Sequence, residues 1–118
     1  MKEILDIEAI KAAHRRFSEE RQWQQFHSPK NLSMALMVET AELMEHFQWL
    51  TEEQSYNLSK QKKEQVALEM ADVLIYFLRL SELLGIDLEE AVKLKMKLNE
   101  EKYPVEKARG LSTKYTDL

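Results

Sequence analysis

The sequence predicts an all-α fold, with four main helices and one short connecting helix forming a bundle, on three observations. Only 2 Gly and 2 Pro occur in 118 residues, whereas a sheet protein of that length needs many turns that favour both. Helix start signals recur at Asp6, Ser28-Pro29, Thr51, Ser59 and Asp87. Between them, apolar residues return every three or four positions, the spacing of one helical face.

The first helix starts after Asp6, carries Ile7, Ile10, His14 and Phe17 on one face, and stops at Arg21 or Gln22. A loop with Trp23, Phe26 and His27 follows. Ser28 caps a second helix with Pro29 at its first position; it runs to about Trp49, with Leu32, Leu36, Leu43 and Leu50 as its stripe. Thr51-Glu52-Glu53-Gln54 matches a capping box and opens a short helix over 52–58. Ser59 caps the third main helix, which continues to Leu84, with Gly85 as its left-handed stop. Asp87 opens the fourth, which ends near Lys102-Tyr103 because Pro104 disfavours helix before it. Residues 104–118 lack periodicity and read as a C-terminal tail, either draped over a neighbouring subunit or mobile.

Residues 1–118 fit one domain. With 44% hydrophobic and 32% charged residues, the chain can build a core. A chain this short buries only about two thirds of its unfolded surface, so oligomerisation is expected to complete that core. The net charge of -4 and the lack of a basic block argue against a nucleic-acid polymer as partner. There is no Cys, hence no disulfide framework or thiolate chemistry. Met1 to Ile10 lacks the basic start and apolar run of a signal peptide. The stretch Met70 to Leu80 contains Asp72 and Arg79 and is too short to span a bilayer. A cytoplasmic protein without a membrane partner is expected.

Chemistry concentrates in four carboxylates. Val38-Glu39-Thr40-Ala41-Glu42-Leu43 is echoed by Leu68-Glu69-Met70-Ala71-Asp72-Val73. Residues three apart share a helix face, so Glu39 sits beside Glu42 and Glu69 beside Asp72. Glu39 interrupts the Leu36–Leu43 stripe. Val66 to Leu80 is apolar on nearly every side, which marks a buried helix; Glu69, Asp72, Tyr76 and Arg79 are its polar exceptions. Buried ionised acids must protonate, pair or bind a metal. Pairing with Arg79 or Lys95 is the structural solution, and a metal site is the functional one. Hard oxygen donors without Cys suit Mg²⁺, with Mn²⁺ also possible. None of the three His stands three after a Glu, so the Glu-x-x-His motif of di-iron bundles is absent. Mg²⁺ on carboxylates points to phosphate chemistry.

Glu39-x-x-Glu42 followed by Glu69-x-x-Asp72 resembles the signature of the MazG-like all-α nucleoside triphosphate pyrophosphohydrolases. Arg21-Gln22-Trp23-Gln24-Gln25-Phe26-His27, Phe47-Gln48-Trp49, Gly85-Ile86-Asp87-Leu88 and Asn99-Glu100-Glu101-Lys102-Tyr103-Pro104 resemble the dCTP pyrophosphatase branch. The resemblance runs from about His14 to Tyr115. It implies cleavage of a nucleoside triphosphate between the α- and β-phosphates, giving monophosphate and pyrophosphate. It implies Mg²⁺ on Glu39, Glu42, Glu69 and Asp72, with one of them or Glu45 orienting the attacking water. It implies base and sugar contacts at His14, Trp23, Trp49 and Tyr76, and phosphate or nucleotide contacts at Lys95 and Asn99. It also implies a homotetramer built as a dimer of dimers. His46 departs from the pattern, standing where relatives carry an apolar residue. Two other readings are a hydrolase for dUTP or a modified purine triphosphate, and a non-catalytic helical oligomer whose acids form structural ion pairs.

Overall fold

A computed structural model describes residues 5–118, which fold as helices without a strand among them. The first helix, α1 (Ile7–Glu20), starts where the Asp6 carboxylate accepts the Ala9 N–H at 3.0 Å. It stops before Gln22, whose φ of 54° no helix can continue. A 3₁₀ turn, Trp23–Phe26, then carries the aromatic segment. α2 (Pro29–Glu45) is capped by Ser28 through the Asn31 N–H. α3 (Glu52–Tyr56) has the expected capping box, both hydrogen bonds of which are present between Thr51 and Gln54. α4 (Lys60–Leu83) is capped by Ser59, and the chain turns away beyond its end at Gly85, φ 64°, where glycine escapes the Cβ penalty.

Two boundaries differ from expectation. α2 ends at Glu45 and not near Trp49: His46 to Trp49 form tight turns, with the Phe47 N–H on the Met44 carbonyl at 2.9 Å. Thr51 must be extended (ψ 165°) to cap α3, so the chain has to leave the helix first. α3 likewise ends at Tyr56 and not at 58, because the Ser59 cap needs extended backbone, ψ 159°.

The chain divides into two compact units. In the first, which ends at Gly85, α1 and α2 both pack against α4. Its buried apolar residues are Leu32, Val66 and Leu78. The expectation that α4 is buried all round does not hold in the single chain: Leu68 is 70% exposed and Met70 57%. Two partner helices cannot enclose a helix that is apolar on every side. α2 shows the same excess, with Met37 67% and Val38 56% exposed.

The second unit, Ile86–Leu118, holds α5 (Leu88–Lys102), capped by Asp87, and α6 (Val105–Ala108). The tail has structure of its own. A 3₁₀ turn at Tyr115–Asp117 returns to the end of α5, with the Tyr115 N–H donating to the Tyr103 hydroxyl at 3.3 Å and Lys102 Nζ 4.7 Å from the Tyr115 ring. Among the described residues, no helix is long and apolar enough to cross a membrane.

Candidate active site

Packing of α2 on α4 brings the two acid motifs together. One carboxylate oxygen each from Glu39, Glu69 and Asp72 lies within 4.8 Å of the others. Glu42 stands outside this triad, yet its charge acts on Glu39. Among the described residues none of the four acids has an ion-pair partner. Arg79, one candidate partner, bonds instead to Glu82 at 3.3 Å.

Partial burial first, then the charges of Glu42, Asp72 and Glu69, push the Glu39 carboxyl up to about 7. One oxygen each of Glu39 and Glu69 is buried without a hydrogen-bond partner. Such orphaned acceptors, on acids that repel one another, fit a hard divalent cation. An ion with Mg–O bonds of about 2.1 Å spans its ligands over roughly 3–4 Å, a scale near that of the triad.

Asp72 also borders a cavity of about 480 Å³, lined by Ile10, Ala13, His14, Phe17, Trp23, Ile75 and Tyr76. The spacing of His14, Phe17 and Ile10 on α1 puts all three on this wall. The His14 ring meets Tyr76 edge-on at 6.3 Å, and Trp23 meets Phe17 edge-on at 5.5 Å. His27 lies parallel to His14 at 6.1 Å and edge-on to Trp23 at 6.5 Å. Burial first, with the charges of Glu39 and Asp72 behind it, raises the Tyr76 phenol, so it stays a protonated donor.

The expected residues thus divide. His14, Trp23, Tyr76 and Asp72 meet at one cavity. Trp49 does not join them; in the turns after α2 it is 87% exposed. Glu45 is exposed at the end of α2. Lys95 and Asn99 are exposed one turn apart on α5, in the second unit. Ile10, Ala13, Phe17 and Ile75 line the cavity although none was singled out as a contact. For Ile10 and Phe17 the signal was their shared face with His14. His27, which backs His14, gave none beyond its place in an aromatic loop.

Residues 34–118 match the model of a family described as MazG-like. The chain is 45% identical to dCTP pyrophosphatase 1 of Rattus norvegicus over 95% of its own length and 67% of that protein. Identity to dCTP pyrophosphatase 1 of Homo sapiens is 43%, with 95% and 67% covered. Its structure resembles that of a pyrophosphatase from Archaeoglobus fulgidus, with a TM-score of 0.79 and 39% identity, over 88% of this chain and 97% of the other.

Proposed function

The chain belongs to the MazG-like family, and from that premise we propose how it works. It is a nucleoside triphosphate pyrophosphohydrolase, acting on a dCTP-like deoxynucleotide and releasing monophosphate and pyrophosphate. The observation that carries this reading is the adjacency of an unpaired carboxylate triad to an aromatic cavity, with Asp72 belonging to both.

Glu39, Glu42, Glu69 and Asp72 would hold Mg²⁺, for which Mn²⁺ is a chemical substitute. When bound, the ion supplies Lewis-acid polarisation of phosphate oxygens and neutralises their charge. His14, Trp23 and Tyr76 hold the base and sugar: an aromatic face stacks on any base, and the Tyr76 phenol donates a hydrogen bond. Lys95 and Asn99 of α5 would make the phosphate or nucleotide contacts that the family resemblance implies. One carboxylate of the set, or Glu45, orients the attacking water and takes its proton. The water oxygen bonds to the α-phosphorus, and the bond to the bridging oxygen breaks, with its electron pair leaving on pyrophosphate.

Exposed Met37, Val38, Leu68 and Met70 support a homo-oligomer, which the family resemblance makes a dimer of dimers, and Trp49 would reach a base in that assembly. Residues 1–118 act as one catalytic domain in the cytoplasm, where surplus or modified deoxynucleotides are removed. A panel of deoxy- and ribonucleoside triphosphates with Mg²⁺, read by product, tests the proposal. Monophosphate plus pyrophosphate supports it; diphosphate plus phosphate, or no turnover by folded protein, sinks it.

A further inference from the structure

Arg79 is 6% exposed, an unusual place for a guanidinium. It lies one turn beyond Tyr76 and two beyond Asp72 on α4. Its Nη1 donates to Glu82 at 3.3 Å, and its Nε is buried without a partner. The same Glu82 oxygen accepts from Arg15 Nε of α1 at 2.7 Å. Arg15 directly follows His14. The Arg15–Glu82 bond therefore ties α1 to α4 one residue from the ring on the cavity wall, and Arg79 holds the Glu82 carboxylate that accepts it.

We infer that Arg79 is a positioning residue for base recognition: through Glu82 and Arg15 it fixes the stacked His14–His27 pair against α4, and with it the edge that His14 presents to the cavity. The inference rests on the cavity being the nucleotide site.

Electrostatics act in the same direction. Burial first, then the charges of His27 and Arg79, lower the His14 imidazole, against a smaller opposing pull from Glu82. Burial and then Arg79 lower His27. Tyr76 faces His14 from α4, and Asp72 shares the cavity with it. Nδ1 of both histidines is buried without a protein partner. Beside a buried cation, a lone pair costs less at that atom than a proton. Burial, with the Arg79 charge behind it, thus favours two neutral rings, each with one donor and one acceptor. A charged imidazole could offer only donors to a base.

The test compares Arg79→Met and Arg79→Lys with the parent chain, by dCTP kinetics and by NMR titration of the histidine rings. Arg79→Met removes the charge at similar length and takes from Glu82 the hydrogen bond that orients it toward Arg15. Its KM should rise about three- to tenfold with kcat within about twofold, and the rise should grow as pH falls from about 7 toward 6, the ordinary histidine range. Both rings should titrate higher than in the parent, and Arg79→Lys should restore most of the low titration. Wild-type KM and wild-type ring titration in folded Arg79→Met would overturn the inference, as would a loss of kcat at unchanged KM. If Arg79→Met does not fold, the half-exposed Arg15→Gln decides: a smaller KM rise supports the network, and an unchanged KM refutes it. The titrations need no substrate, so a parent chain that hydrolyses no nucleotide would defeat the proposed function and still leave the network measurable.

Discussion

The middle and the end of α4 treat charge in opposite ways. Near its middle, Glu69 and Asp72 meet Glu39 with no ion-pair partner among the described residues, and the Glu39 carboxyl rises to about 7. Toward its end, Glu82 meets Arg15 and Arg79, and hydrogen bonding to Arg15 first, with the nearby charges behind it, holds its carboxyl below the usual range. A paired acid stabilises the fold it sits in. An unpaired, mutually repelling group of acids costs stability until something positive arrives, and that cost is the mark of a binding site.

The acid cluster is expected to carry the largest effects. Asp72→Asn or Glu42→Gln should keep the fold and lower turnover by at least ~10²-fold, the scale of losing one strong electrostatic stabiliser. Near-full activity in either variant would defeat the metal assignment. Asp72→Asn should also raise the unfolding midpoint of the metal-free protein, since it removes a repelling charge.

At the paired end, Glu82→Gln should cost stability, by about 2 kcal/mol, because it leaves the buried Arg79 without its counter-charge. Denaturant unfolding reads this directly, and an unmoved midpoint would mean that the pairing is decorative. Trp23→Ala should raise KM about tenfold through lost stacking, with little change in kcat.

Proton linkage sharpens the contrast, because the two regions carry opposite signs. Glu39 is raised in the folded chain, so its contribution is fully present below about 4.5 and is lost as pH rises through about 7. Glu82 is lowered, so its contribution is present above the ordinary carboxylate range and is lost as pH falls through its folded value. Mg²⁺ should therefore raise the melting temperature more at pH 8 than at pH 5.5, where protons compete for Glu39. Equal shifts at both values would count against Glu39 as a ligand. The smallest expected effect is on the surface: removing the exposed Lys93–Glu89 pair of α5 with Lys93→Ala should change stability by less than about 0.5 kcal/mol.

Local signals read well where chemistry is local. Asp6, Ser28, Thr51, Ser59 and Asp87 all cap helices through their own side chains, because a cap bond spans only three residues. The end of α2 was less legible: Trp49 continues a helical pattern, yet the extended Thr51 beyond it forces the turn. Arg79 shares a face with Glu69 and Asp72, which suggested a partner for those acids. Spacing cannot show that Glu82, one turn on and shared with α1, takes it instead.

The all-α class, the helix starts and the pairing of the acids within each helix are legible in the amino-acid order, since they follow from propensity and a fixed helical repeat. Which residues meet between helices is settled by packing. It set Glu39 against Glu69 and Asp72, His27 behind His14, and Arg79 on Glu82. It also left Trp49 exposed and gave residues 105–108 a helix. Contacts between helices depend on how each is rotated and placed against the next, which packing decides and a single helix's periodicity does not encode.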